Sequence, residues 1–136
     1  TQLETMDCSE IRRAICELAK GCVNNVPYKW GASSLDKSIG TDCSGFTKAL
    51  YAQFGIDLPR KSYTQGQNGV KVSREAARPG DLMVWNHKPG DDTGHVAIYI
   101  GNGMAIHAPG RGKFVTYKQG EDSGGKQFLG YYSFFD

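Results

Sequence analysis

Residues 95–108 read HVAIYIGNGMAIHA, two runs of β-branched and apolar residues hinged on Gly101-Asn102-Gly103. Glycine and asparagine tolerate the positive φ of a tight antiparallel turn, so the stretch predicts a β-hairpin. Strands are expected on either side of it. ARPGDLMVWN runs from a Pro-Gly turn into the apolar segment 82–85, and FVTY at 114–117 and FLGYYSFF at 128–135 follow, separated by the polar segment KQGEDSGGK. The first half of the chain carries the other period. Asp7-Cys8-Ser9-Glu10 has the form of a capping box, after which Cys8, Ile11, Ile15, Leu18 and Cys22 recur at three- and four-residue steps, predicting an amphipathic helix that ends near Gly21. Phe46, Leu50 and Phe54, with Ala49 on the same side and Gly55 as a stop, predict a second helix over 43–54 with Cys43 at its N-terminus. A short helical piece is expected around 62–67. NNVPYKWGASSLDKSIG, between the two long helices, is expected to be a loop packed through Tyr28 and Trp30. Helices first and an antiparallel meander after make an α+β layout.

A length of 136 residues fits one domain, read as an N-terminal helix and lead-in at 1–27 and a motif-bearing core at 28–136. The composition, 39% hydrophobic and 22% charged, is that of a soluble globular chain, and no run of eighteen apolar residues suggests a membrane span. A net charge of +2 without basic clusters among aromatics argues against nucleic acid as a partner, and a monomer is expected. No signal-peptide pattern is visible in the first thirty residues. The cysteines at 8, 16, 22 and 43 contain no C-x-x-C pair, and the histidines at 87, 95 and 107 lack finger-like spacing, so no metal site is expected. Eight residues of helix span roughly 12 Å, too far for a disulfide, which leaves Cys8, Cys16 and Cys22 as small apolar filler.

GTDCSGF at 40–46 sets Cys43 ahead of the apolar stripe of its helix rather than on it, between an acid and two small residues. Helix N-terminal N–H groups favour an anion and, with a histidinium, bring a cysteine pKa to roughly 3.5–7.5. A nucleophile also needs a base. His95 opens the first hairpin strand and His107 lies near the end of the second. A turn centred on Asn102 sets them diagonally on one face, where one ring accepts the thiol proton and the other holds its tautomer. A two-residue Asn-Gly turn sets them on opposite faces, and His107 is then a plain polar strand residue. Other hydrolytic chemistries lack their marks, since H-E-x-x-H, G-x-S-x-G and G-x-x-x-x-G-K are all absent. The bland readings stay open at this point: Asp42 as a helix N-cap, Tyr28 as a core aromatic, Arg60 as a solvated charge, His87 as a surface loop residue, Trp85 and Phe46 as core.

TDCSGFTKALYAQFGIDLPRKSYTQ, RPGDLMVWN, TGHVAIYIGNGMAIHAP and the upstream PYKWG together resemble the NlpC/P60 family of cell-wall cysteine peptidases over residues 28–117. The resemblance implies a papain-like α+β fold, N-terminal helices on a central antiparallel sheet, and hydrolysis of peptidoglycan stem peptides at the γ-D-glutamyl–diamino acid bond. By matching position it implies Cys43 as nucleophile, His95 as general base and His107 as the residue that orients it, with no cofactor. Tyr28 resembles the tyrosine that lines the cleft, Asp42 and Ser44 the pair that holds a free N-terminal amine of the stem, and Arg60, Ser62 and Gln65 the wall of that pocket. Lys61 departs from the small or hydroxyl residue frequent there. The implied location is extracellular or in the cell wall. The rival readings are an amidase or acyltransferase with the same Cys-His pair, and a catalytically silent wall-binding module.

Overall fold

A computed structural model describes residues 8–86, 94–121 and 126–135, apart from the side chains of Cys8 and Tyr63. The expectations for Asp7, His87 and the HKPGDDT segment lie outside the described residues. Three helices precede the sheet: α1 at Cys8–Cys22, α2 at Cys43–Ala52 and α3 at Ser62–Gln67. Gly55 takes φ +80° just beyond α2, the left-handed geometry that stops a helix at low steric cost. Six strands follow: β1 at Val70–Val72, β2 at Leu82–Trp85, β3 at His95–Gly101, β4 at Met104–His107, β5 at Thr116–Gln119 and β6 at Phe128–Ser133.

All strand pairs are antiparallel and the sheet order is β1-β6-β2-β3-β4-β5. The expected meander therefore holds only from β2 to β5. The last strand crosses back to fill the place between β2 and the short edge strand β1, so both edges of β2, buried at all four residues, are hydrogen-bonded. On one face Leu82, Val84, Val96, Ile98 and Ile106 pack against Ile15 of α1 and Phe46, Leu50 and Tyr51 of α2. Met83, Trp85, Ala97, Tyr99, Ala105 and Tyr131 form a second cluster on the other face. Phe46 and Trp85 are fully buried, as expected. Cys16 and Cys22 are buried free thiols, which fits their reading as filler. Trp30 departs from expectation: it is 56% exposed, because residues 29–32 form a turn held by backbone bonds rather than by packing of the indole.

The hairpin resolves the question of which face His107 occupies. Asn102 and Gly103 take φ +56° and +75°, the two positive values of a two-residue type I′ turn, and Gly101 pairs with Met104 across it. That turn alone would put the histidines on opposite faces. The register shifts by one between Tyr99 and Gly101, leaving Ile100 as an extra residue, so that beyond it Tyr99 pairs with Ala105 and Ile98 with Ile106. Extended along the strands, this register sets His107 opposite Ala97 and diagonal to His95 on one face.

α2 is pressed onto the turn before it. A Cβ on Gly45 would lie 2.2 Å from the Ala32 carbonyl oxygen and 2.8 Å from the Ser33 Cα, contacts with backbone that only displacement could relieve. Glycine is thus required at the first turn of α2 for close approach rather than for flexibility. Gly45→Ala is expected to lower stability by about 1–3 kcal/mol through overpacking, measured as a shift in the urea midpoint; an unchanged midpoint would contradict this contact.

Candidate active site

Asp42 is the N-cap of α2, with φ −92° and ψ −175°, and its Oδ1 accepts the Gly45 N–H at 2.7 Å. Ser44 Oγ lies 3.4 Å from the same oxygen. Oδ2 accepts the Gly31 N–H at 3.0 Å and Arg60 Nη2 at 2.8 Å. Arg60 Nη1 also donates to Ser44 Oγ at 2.7 Å. Asp42 therefore caps the helix, as its bland reading required, and Arg60 is no solvated charge: it pairs with an Asp42 side chain that is 8% exposed. Gln65 is fully buried. Its Nε2 donates to the carbonyls of Ser44 at 2.9 Å and Pro59 at 2.8 Å, and its Oε1 accepts from Thr47 Oγ1 at 2.6 Å. It fixes α3 against the first turn of α2 and does not face solvent. Ser62 is buried at the start of α3.

Cys43 is partly exposed at the first position of α2, and the backbone N–H groups of Ser44 and Val96 favour its thiolate. The second of these belongs to the strand that begins with His95. Tyr28, half-buried and bridged to Thr41, lies close enough to Cys43, Asp42, Arg60 and Arg111 to sense their charges. His95 is 6% exposed; its Nε2 is 2.7 Å from Nδ1 of His107, and the rings meet edge to face with centroids 4.9 Å apart. Trp85 packs on His95 from the paired position on β2, with centroids 5.4 Å apart. The fold thus gathers Cys43, His95, His107, Tyr28, Asp42, Ser44 and Arg60 at one end of the sheet, with Ser62 and Gln65 buried in α3, which packs on α2.

The electrostatics run against the expected low thiol pKa. Burial first and the Asp42 charge second push the Cys43 thiol up to about 11, outweighing the opposite pull of the Val96 and Ser44 amides. Burial lowers His95 to about 3, aided by His107, Lys118 and Lys126, and lowers His107 to about 4, aided by Lys118 and Lys113. The free chain therefore holds a neutral thiol and a neutral imidazole pair. The sequence reading missed the influence of the Val96 amide on the thiol and of the lysines on the histidines. A strand residue after a candidate base gives no compositional sign that its N–H will meet a thiol.

A family model described as NlpC/P60 family matches residues 25–130. The γ-D-glutamyl-L-lysine dipeptidyl-peptidase of Bacillus cereus is 45% identical over 85 residues, which are 62% of this chain and 25% of that protein. The murein DD-endopeptidase MepS/murein LD-carboxypeptidase of Escherichia coli is 43% identical over 84 residues, 61% of this chain and 42% of that protein. The chain thus spans less than half the length of either relative. The crystal structure of the NlpC/p60 domain of the peptidoglycan hydrolase SagA superposes with a TM-score of 0.71 at 36% identity, covering 90% of this chain and 97% of that one. With the family model matched over most of its length and a whole domain of the same family superposed on nearly all of it, this chain belongs to the NlpC/P60 family.

Proposed function

We propose that this chain is a cysteine peptidase of peptidoglycan stem peptides that cuts the γ-D-glutamyl–diamino acid bond. The observation that carries the reading is the histidine pair at the start of the strand whose Val96 amide acts on the Cys43 sulfur, with His95 Nε2 engaged by His107 Nδ1 at 2.7 Å. With Nε2 engaged, Nδ1 of His95 is the nitrogen left to take the thiol proton. His95 must then carry its own proton on Nε2 and donate it to Nδ1 of His107, which fixes both tautomers. His107 thus does for His95 what a carboxylate does in serine-type triads, without adding a negative charge.

In the reaction the thiol proton passes to His95 Nδ1 as the sulfur bonds to the glutamyl γ-carbonyl carbon. The resulting oxyanion is met by first-turn N–H groups of α2, that of Cys43 among them. Collapse expels the diamino acid amine, which takes the proton from His95. Water, deprotonated at the same Nδ1, then releases the acyl group from sulfur, which takes that proton back from Nδ1. Tyr28 lines the acyl side, and Asp42 with Ser44 grips a free stem amine. The carboxylate already receives from Gly45, Gly31, Ser44 and Arg60, about as many donors as it has lone-pair sites, so the substrate ammonium takes the place of the Arg60 guanidinium. The relatives' names specify different stem bonds, so the γ-D-glutamyl choice rests on the first of them together with the sequence resemblance. Such a substrate places the protein at the cell wall. The raised Cys43 pKa is what a silent wall-binding module would show, and catalysis decides between the two.

Cys43→Ala should abolish release of stem fragments from purified peptidoglycan with an unchanged thermal midpoint; near-normal release by this variant removes the proposal. N-acetylation of a synthetic stem should lower kcat/KM by about tenfold or more, the loss of one charge-assisted contact, whereas equal cleavage of both stems ends the amine-binding role of Asp42. His107→Leu is expected to lower kcat by roughly 10²–10⁴-fold, with His107→Gln, which keeps an acceptor for His95, retaining more; equal losses would count against an orienting role. Both imidazoles are held below their ordinary 6.5, so they are neutral when folded and the unfolded chain binds more protons as pH falls. Stability should accordingly be full above pH 6.5 and decline as pH falls toward 4 and 3. The decline in urea midpoint should be shallower in His107→Gln, and an identical slope in the two proteins would contradict the burial of a neutral pair.

A further inference from the structure

Trp85 stands behind His95 and is held by more than packing. It is the last residue of β2 and pairs with His95 on β3, while on its other edge the register shifts between Val84 and Trp85, where β6 carries Leu129 as an extra residue. Such a bulge turns side chains out of the regular pleat, so the direction of the indole depends on what its own atoms meet. Its Nε1 donates to the Glu121 carbonyl at 2.6 Å, and Phe128 packs on the ring with centroids 5.2 Å apart. The chain reaches that carbonyl from the edge strand β5 by turning at Gly120, which takes φ +78° and donates its N–H to the Gly103 carbonyl at 2.9 Å. Beyond the turn the Glu121 carboxylate is clasped. Arg74 Nε and Nη2 donate to its two oxygens at 2.6 and 2.7 Å, a bidentate pair, and the Tyr131 hydroxyl donates at 2.7 Å from β6. One residue thereby ties the segment after β1, the end of β5 and the middle of β6 to the indole.

Stability gives little reason for such a clasp. The Arg74 side chain is 71% exposed, and an ion pair with one partner in solvent contributes little to folding. Position gives a better one. The bond to His107 fixes only the Nε2 corner of His95, and an imidazole held at one corner still tilts about it. The indole limits that tilt, packed on the ring with 5.4 Å between centroids and 45° between planes. In the reaction proposed above, Nδ1 of His95 takes the thiol proton and returns a proton to the leaving amine, so the tilt decides how well that nitrogen is aimed. We propose that Arg74, Glu121 and Tyr131 are positioning residues of the peptidase: through Trp85 they set the plane of the His95 ring and with it the rate of proton transfer. This inference rests on the peptidase reading. The path from the clasp to the site runs through the indole, so its loss slows turnover and leaves substrate binding as it was.

The test is steady-state cleavage of the synthetic stems L-Ala-γ-D-Glu-meso-diaminopimelate and L-Ala-γ-D-Glu-L-Lys by the wild-type chain and its variants, each with its thermal midpoint. Glu121→Ala should lower kcat by about tenfold to a hundredfold, the range of a small misplacement of a reacting group, with KM within about twofold. Its midpoint should fall by no more than about 4 °C. Glu121→Gln, which keeps an acceptor for the Tyr131 hydroxyl, should recover part of the loss in kcat. Arg74→Met and Tyr131→Phe, which each leave the other donor in place, should lose less than Glu121→Ala. A second readout is spectroscopic: in protein carrying isotope-labelled histidine, the imidazole resonances of His95 should shift in Glu121→Ala, because ring and indole move together. A lower midpoint with kcat unchanged, or a loss confined to KM, makes the clasp a structural tie and overturns the proposal while cleavage by the wild type upholds the peptidase. Should the wild-type chain cut neither stem, the peptidase reading falls and the His95 resonances decide the link between clasp and ring by themselves: shifted, they uphold it; unmoved, they overturn it.

Discussion

One carboxylate holds the Cys43 end of this protein together. Asp42 joins the turn at residue 31, the first turn of α2 and the approach to α3, through Gly31, Gly45 with Ser44, and Arg60 respectively. The turn at Gly31, the first turn of α2 and Arg60 are therefore referred to the same two oxygens. A cap of this kind contributes about 0.5–2 kcal/mol by itself, but its larger consequence is positional. With Gly45 set hard against Ala32 and Ser33, the helix start has no freedom to drift, and Gln65 locks the Ser44 carbonyl from the far side. Cys43 is presented from a rigid element, which is what a reaction sensitive to small displacements requires.

The opposite half of the site depends on a different constraint. The Asn102-Gly103 turn fits the twist of the strands, and the strand periodicity of two would send His107 to the wrong face. The extra residue at Ile100 restores the pairing, so the turn that is best for the backbone and the register that is needed for the histidine pair coexist. Trp85 then backs His95 from β2, and its indole N–H anchors Glu121, so the tryptophan serves packing and position at once.

Much of this was legible in the sequence because it rests on local rules. The helical stripes, the short helix at 62–67, the strand at 82–85 and the hairpin follow from spacing and turn chemistry, and the structure has them close to where they were expected. What was not legible depends on distant partners. The Ile100 bulge has no composition of its own beyond a neighbouring glycine, and it overrode the simple rule for an Asn-Gly turn. β6 returns to β2 because β2 has a second edge to satisfy, which no pattern within β6 records. Trp30 looked like core from its size, yet its turn closes through backbone bonds and leaves it outside. Arg60 and Gln65, in a polar segment, could be told from solvated residues only once Asp42, Ser44 and Thr47 were placed around them.

The thiol shows why position alone does not fix reactivity. A helix N-terminus contributes typically 0.3–1 kcal/mol toward an anion, under one pKa unit. Desolvation of a deeply buried group works the other way by up to 3–5 units. The second wins in the free chain, and Asp42 adds to it, so Cys43 rises while His95 and His107 fall. On the proposed binding mode, replacing the Arg60 guanidinium by a substrate ammonium would exchange one cation for another and leave the field of Asp42 at sulfur almost unchanged. Amine binding would then be a matter of orientation and would not by itself release the thiolate. In the reaction proposed above, negative charge develops on an oxygen facing helix N–H groups while the proton leaves the neutral thiol for an imidazole that His107 already steadies. A thiolate–imidazolium pair never has to accumulate in the buried pocket, provided that proton transfer and carbon–sulfur bond formation occur together. On this reasoning the neutral resting pair is compatible with a nucleophile that stays protonated until an acyl group lies against it.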